Sequence, residues 1–373
     1  MKIRCHVFDI PYTTGEKKWT FCGHPVKVQN FCEMMKDYIE IIYYGHERSE
    51  VDCSEKVVVT NDYIFQKSFG DFSKPFYWEG SGIGDLAHRM FNANALEALR
   101  KRYQKNDFML LMWGRGHAFI SDNFKHDRNF SFEHVGHASH AVTERRIYNS
   151  NFSRAYHGGK VYSHFPHFLD PVIPNCVNPN LFEYGDSSKK GYMLYVGRVI
   201  AMKGLMITIK LAIDTGIPLI IAGPGNIDHV LENSPYKFGI TKGDLNNYDI
   251  EIIGQVDAED RLELMRDASM FVMPTLYAEP GAKVILESLY SGTPVITAKT
   301  GGSPEYNVDG ITGYNCLLYS EYLEAVNNIH TINSKDCRDW IEDGFTFNSI
   351  APQYMKYFES ILNYTETKNF WKV

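Results

Sequence analysis

Met270-Phe271-Val272-Met273-Pro274-Thr275-Leu276-Tyr277-Ala278-Glu279-Pro280-Gly281-Ala282-Lys283-Val284-Ile285-Leu286-Glu287 is the stretch on which the fold turns. Its opening residues, 270–275, form an apolar run of strand length, and its second half is an apolar helical pattern bracketed by Glu279 and Glu287. Proline suits the first helical position, so a helix is predicted to open at Pro280 with Glu279 near its cap. Eight residues on a helix advance about 12 Å and only ~80° beyond two full turns. Both carboxylates are therefore expected on roughly the same side, with Glu287 two turns deeper. A carboxylate accepts paired hydrogen bonds from a vicinal diol, so one suits sugar hydroxyls at the helix mouth and the other a nucleotide ribose. A salt-bridged or capping Glu279 and an ordinary amphipathic Glu287 explain a lone pair equally well.

The same strand-then-helix grammar repeats on both sides of this stretch. Residues 192–199 read as a strand, followed by a helix over 204–215 closed by Gly216. Further strands are predicted at 218–222, 250–253 and 294–298, with Asp257 capping the helix after the second of these. Such alternation implies a parallel sheet covered on both faces, with ligands beyond the carboxyl ends of its strands. Gly197, Gly223, Gly225, Gly281, Gly301 and Gly302 all fall at those ends. The first half is less regular. Strands are expected at 1–8, 39–44, 57–60 and 109–113, late ones at 144–149 and 172–174, and helices at 26–36 and 93–103. Residues 170–175 read as a linker, and 349–364 as a helix crossing back onto the first domain.

At 373 residues two domains are the default. The boundaries read as 1–172 and 173–348, with the C-terminal helix, about 349–373, returning to the first. Apolar content of 44% and charged content of 22% are those of a globular protein. The formal charge of −7 argues weakly against a dedicated nucleic-acid binder. That charge is uneven: residues 1–175 hold 22 Lys+Arg against 20 Asp+Glu and 12 of the 14 His, whereas the remainder holds 16 against 25. The seven cysteines are scattered without a Cys-x-x-Cys, which indicates neither a disulfide framework nor a zinc ribbon and points to a reducing compartment. The N-terminus lacks a signal peptide's apolar centre and no run of 18 apolar residues occurs, so a cytoplasmic protein is expected.

Val196-Gly197-Arg198 ends the strand at 192–199, and Lys203-Gly204 opens the next helix. An Arg and a Lys beside a helix N-terminus make an anion site, and a solvated surface pair is the alternative. Farther on come Gly292-Thr293-Pro294-Val295 and Gly301-Gly302-Ser303-Pro304-Glu305, where glycines allow close backbone approach to a ligand or simply make turns.

In order and spacing, Gly197-Arg198…Lys203-Gly204, Gly223-Pro224-Gly225, Glu279-x7-Glu287, Gly292-Thr293-Pro294-Val295 and Gly301-Gly302-x-Pro304-Glu305 resemble the retaining nucleotide-sugar glycosyltransferases of GT-B architecture, most closely glycosyltransferase family 4. The resemblance covers about 192–313. It is looser in the first half, through His24-Pro25-Val26-Lys27, Phe132-Glu133-His134-Val135-Gly136 and Val172-Ile173-Pro174-Asn175. It implies an α/β fold of two facing Rossmann-like domains with a cleft between them, the donor on the second and the acceptor mainly on the first. It further implies that Arg198 and Lys203 hold the donor diphosphate, Glu279 the transferred sugar and Glu287 the ribose. Gly197, Gly204, Gly223, Gly281, Ala282, Lys283 and Val284 complete the donor site. One departure stands out: where the family has an aromatic and then a glycine after the first Glu and its neighbour, this chain has Gly281 and Ala282.

The implied reaction moves a hexose-type sugar from a nucleotide-diphosphate sugar to an acceptor hydroxyl of a glycan, a lipid-linked or a small molecule, with retention. Cations at the diphosphate remove the need for a metal, and the sequence holds no Asp-x-Asp; no cofactor is expected. A glycosyltransferase acting on modified DNA bases and a non-catalytic nucleotide-sugar binder are the alternatives.

On the acceptor side, His117, in Trp113-Gly114-Arg115-Gly116-His117, is a candidate for hydrogen bonding to sugar or acceptor, or an ordinary loop histidine. Glu133, His134 and His137 are assigned to a second loop, and His24 and Lys27 are weaker candidates. His134, His137 and His140 are spaced by three but lack a zinc-site order, so no metal is assigned. Arg100-Lys101-Arg102 and Lys105 read as a solvated face or, more sharply, as peripheral footing on an anionic surface.

Overall fold

A computed structural model describes residues 2–16, 23–72, 84–135, 142–160, 168–185 and 189–367. The chain divides into two compact units. The first comprises Met1–Asn149, Arg154–Ile173 and Ile350–Val373, and the second Ser150–Ser153 and Pro174–Ser349.

In the first unit, six strands form one sheet: β1 (Arg4–Phe8), β2 (Glu40–His46), β3 (Glu55–Thr60), β4 (Phe108–Leu111), β5 (Ser131–Val135) and β6 (Arg145–Tyr148). Their order is β3-β2-β1-β4-β5-β6, parallel throughout. In the second, β7 (Met193–Val196), β8 (Leu219–Ala222), β9 (Ile250–Gly254), β10 (Met270–Met273), β11 (Val295–Ala298) and β12 (Gly313–Cys316) run in the order β12-β11-β10-β7-β8-β9, again parallel. Renumbered from its own first strand, each sheet has the doubly wound order 3-2-1-4-5-6, whose direction of travel reverses between the first and fourth strands.

The central strands read as unbroken apolar runs because both faces are covered. Met193, Leu194, Phe271, Val272, Val295 and Ile296 are all buried in one core, closed by the helices Leu205–Thr215 and Lys283–Tyr290. In the first unit Phe8, Ile42, Met109 and Leu111 pack with Phe91, Ala95 and Leu99 of the helix Leu86–Arg102. The helix Phe347–Thr367 begins in the second unit and continues into the first. There its Phe358 ring lies 4.6 Å from Phe108 and 5.6 Å from Phe132.

Most expected elements lie within a few residues of their predicted bounds, with three informative differences. The residues expected as a loop around Glu133 and His134 form β5, hydrogen-bonded between β4 and β6. Gly313-Tyr314-Asn315-Cys316, unassigned from sequence, forms the edge strand β12. The glutamate helix opens at Lys283 with Ala282 as its cap, not at Pro280, so Glu287 stands one turn inside it and Glu279 lies before it. The expectation of two carboxylates on one helical side therefore does not hold. Gly281 explains the late start: at φ +152° its backbone is far from helical, and an added Cβ would lie 2.6 Å from the Tyr306 hydroxyl. Among the described residues no helix is long and apolar enough to cross a membrane.

Candidate functional site

The reversal point of the second sheet lies between β7 and β10, and the predicted cations and Glu279 follow those two strands. β7 ends at Val196, after which Gly197 leads to the exposed Arg198. The Tyr195 hydroxyl, buried at the end of the strand, donates to the Arg198 carbonyl at 2.8 Å and so fixes where the chain turns out. A single helical turn, Ala201–Lys203, then delivers Lys203, and Gly204 caps the next helix in the left-handed region at φ +75°. A side chain at Gly204 would place its Cβ 1.9 Å from the Pro274 carbonyl, just past β10, so glycine here permits the backbones after β7 and β10 to touch.

From the β10 side, Glu279 meets these groups. Lys203 Nζ lies 2.5 Å from Glu279 Oε2, with both side chains mostly buried. The Tyr277 hydroxyl donates to the same oxygen at 2.5 Å, and the ammonium sits 5.0 Å from the Tyr277 ring centroid. Burial first, and then the Glu279 charge, hold the Tyr277 hydroxyl far above its ordinary pKa, against a pull from Arg198. Lys203, Tyr277 and Glu279 thus form one bonded cluster, with the Arg198 charge near enough to act on the Tyr277 hydroxyl. The Glu279 backbone is pinned as well: its carbonyl accepts from the Gly302 N–H at 2.7 Å. Gly301 approaches so closely that an added Cβ would lie 2.5 Å from the Glu279 carbonyl oxygen.

Glu287 keeps different company. It is buried, with Arg261 Nε at 3.3 Å from Oε2 and Lys283 Nζ at 3.3 Å from Oε1. Burial pushes its carboxyl up, but Arg261 and Lys283 outweigh that, and the net displacement is downward. These contacts are longer than the ~2.7–2.9 Å of a tight charge-assisted bond, so the carboxylate retains acceptor capacity. Lys283 is pulled below its ordinary pKa chiefly by burial.

Gly223 lies just beyond β8, its N–H donating to the Gly254 carbonyl at 2.7 Å. Ala282 is buried and Val284 half-buried at the head of the Glu287 helix. Tyr306 is buried under Gly281, with its hydroxyl accepting from the Asn175 N–H at 3.1 Å, while the Asn175 amide donates to the Gly281 carbonyl at 2.8 Å. Glu305, of the second glycine motif, accepts from the N–H groups of Asn151 and Phe152, both at 2.7 Å. Sequence reading missed Tyr277, Arg261 and Tyr306. A tyrosine two residues before Glu279 was visible, but nothing in its spacing marked it as a partner.

In the first unit the predicted residues are mostly enclosed. His117 ends the turn Gly114–His117, entirely buried, its ring centroid 6.0 Å from Phe8 and 5.7 Å from Phe91. Burial, then the nearby His88, push its pKa down to about 3, so in the folded unit it is a neutral core ring and not the loop group expected. Glu133 is buried on β5, accepts from the Val142 N–H at 3.3 Å, and is raised by burial to about 7. His134, also buried, bonds through Nε2 to the Tyr354 hydroxyl of the C-terminal helix at 2.5 Å. Burial holds its pKa well below the ordinary value. Lys27 donates to Asn149 Oδ1 at 2.7 Å. The side chain of His24 and the whole of His137 and His140 fall outside the described residues.

Two surface clusters have local partners. In the basic helix, Lys101 pairs with Glu97 at 2.6 Å, Arg102 with Glu55 at 2.7 Å, and Arg100 donates to the Asn123 carbonyl at 3.2 Å, which favours an ordinary solvated face. His46, Glu47 and Asp62 bring ligand-type atoms together, but His46 Nδ1 accepts from the Arg48 N–H at 3.2 Å and the Arg48 guanidinium pairs with Asp62. A ligating histidine instead donates from its second nitrogen, and the arginine already supplies the cation.

Residues 178–346 match the family described as Glycosyl transferases group 1. An uncharacterized glycosyltransferase of Methanocaldococcus jannaschii, MJ1607, is 31% identical over an alignment of 164 residues that covers 38% of this chain and 40% of that protein. The chain thus spans less than half the length of the curated relatives it matches first, 40% and 44% of them. Among solved structures, AviGT4, a glycosyltransferase involved in avilamycin A biosynthesis, matches with a TM-score of 0.66 at 19% identity, covering 97% of this chain and 98% of its own. Anabaena HepE in complex with UDP and glucose matches with a TM-score of 0.68 at 16% identity, covering 96% and 100%. The fold of the whole chain is therefore that of the GT-B glycosyltransferases, with two Rossmann-like domains.

Proposed function

From the match of residues 178–346 to the family described as Glycosyl transferases group 1 and from the GT-B fold, we propose that the chain transfers a hexose-type sugar, with retention, from a nucleotide-diphosphate sugar to an acceptor hydroxyl. The observation that carries this reading is the gathering of Arg198, Lys203, Tyr277 and Glu279 at the reversal point of the second sheet. In that crevice Arg198 and Lys203 take the diphosphate, Glu279 the hydroxyls of the transferred sugar, and Glu287 the ribose diol. Gly197, Gly204 and Gly223 line the approach as backbone.

The chemistry follows from where charge develops. The bond from sugar C1 to the diphosphate oxygen breaks, leaving negative charge on the phosphate that Arg198 and Lys203 stabilise. The acceptor oxygen forms the new bond to C1 from the leaving-group face, and its proton passes to a phosphate oxygen. No carboxylate pair need flank the bond, unlike in a glycosidase. With two cations at the diphosphate, a metal ion is not required in this scheme.

HepE, holding UDP and glucose, puts UDP-glucose first among donors to try. Thermal unfolding with UDP-, GDP- and ADP-sugars tests the reading: at least one should raise the midpoint and be slowly hydrolysed without acceptor. A well-folded sample that responds to none removes it.

A further inference from the structure

We propose that Tyr277 is a positioning residue that tunes this site to the sugar of the donor rather than to its nucleotide. The inference rests on the donor site proposed above and deepens it.

Two donors converge on one atom. Among the described residues, every side-chain hydrogen bond of Glu279 falls on Oε2, from the Lys203 ammonium and the Tyr277 hydroxyl, each at 2.5 Å. Two strong donors on one oxygen fix the plane of the carboxylate and direct Oε1, with its own lone pairs, to an incoming hydroxyl pair. The backbone cannot swing to compensate. The Glu279 N–H donates to the Tyr277 carbonyl at 2.8 Å and its carbonyl accepts from Gly302 at 2.7 Å. Tyr277 is thereby both the neighbour that closes the turn and the donor that aims the side chain.

The tyrosine also divides the work of Lys203. With the hydroxyl present, Oε2 is shared, and the ammonium is drawn partly toward the ring centroid 5.0 Å away. Without the hydroxyl, Lys203 becomes the sole partner of Oε2, and the carboxylate can rotate about it. The phosphate end, which also has Arg198, is affected little, while the sugar end loses its orientation. The consequence is a split between two affinities that a general loss of folding does not produce.

The experiment compares wild type, Tyr277→Phe and Tyr277→Ala by calorimetry. UDP-glucose, GDP-mannose and ADP-glucose are each measured beside the free UDP, GDP or ADP, with thermal midpoints recorded alongside. For the sugar nucleotide that wild type binds, Tyr277→Phe should leave the free nucleotide within about twofold. It should weaken the sugar nucleotide and its hydrolysis on the order of tenfold, the loss of one hydrogen bond to a charged group. Tyr277→Ala, which also removes the ring beside Lys203, should weaken both. Equal losses for the sugar nucleotide and its free nucleotide in Tyr277→Phe, or no loss in either, overturn the inference and leave the donor site standing. Wild type that binds none of the six compounds removes the donor site and this inference with it.

Discussion

The two sheets share a strand order but treat charge in opposite ways at the ends of their first and fourth strands. In the first unit, Asp9 follows β1 and is buried against Tyr43 and Thr13, its carboxyl raised by burial to about 6. His117, soon after β4, is pushed down to about 3, and Glu133 on β5 up to about 7. All three displacements favour the neutral form, because desolvation outweighs what opposes it: hydrogen bonds at Asp9, and the Val142 N–H and the Arg146 charge at Glu133. In the second unit, Lys203 and Glu279 sit within 2.5 Å of each other, and Glu287 lies between Arg261 and Lys283. The same topology therefore supplies one crevice where burial dominates and one where acids and bases lie within about 3.3 Å of each other.

The largest break in this comparison comes from Glu279→Gln. It keeps the shape and a partner for Tyr277 but removes the charge that Lys203 answers. Donor hydrolysis, measured below the unfolding transition, should fall on the order of 100-fold, and the midpoint should drop because Lys203 is left mostly buried without its counter-charge. Unaltered turnover would refute the assigned role.

Next is Gly204→Ala, which attacks the geometry rather than the charge. The added Cβ meets the Pro274 carbonyl at 1.9 Å in a left-handed backbone, so the second unit should lose roughly 2–4 kcal/mol in denaturant titration. Wild-type stability in this variant would mean that the backbones after β7 and β10 are not held as described.

The smallest effect sharpens the other side. A histidine kept neutral in the fold takes up a proton on unfolding, so its folded state loses stability as pH falls from 6.5 towards about 3. His117→Leu should flatten that part of the stability–pH curve and change little above pH 7, with donor hydrolysis retained. A curve as steep as that of wild type would return His117 to the list of solvent-accessible groups.

What the sequence made legible follows the same division. The strands of the second unit read plainly because a parallel sheet covered on both faces writes long apolar runs, as in Phe271-Val272-Met273. The motif residues fall at their ends, the edge at which open parallel sheets generally bind ligands. β5 was hidden because Glu133 and His134 are polar letters in a buried strand, and their partners, the Val142 N–H and Tyr354, are 9 and 220 residues away. β12 was hidden because an edge strand half-open to solvent needs no apolar run. Pro280 misled because proline permits a helix start without requiring one, and Gly281 postponed it. Tyr277 escaped notice because a contact through one hydroxyl leaves no periodic trace.

The C-terminal helix carries one more consequence. Tyr354 and Phe358 complete the packing around β4 and β5, although nearly two hundred residues of the second unit are made between those strands and the helix. During synthesis on the ribosome, the first unit therefore waits with a side of its sheet uncovered while the second can close. The half made first is the half finished last, and nascent chains halted before residue 350 should be the ones that chaperones hold longest.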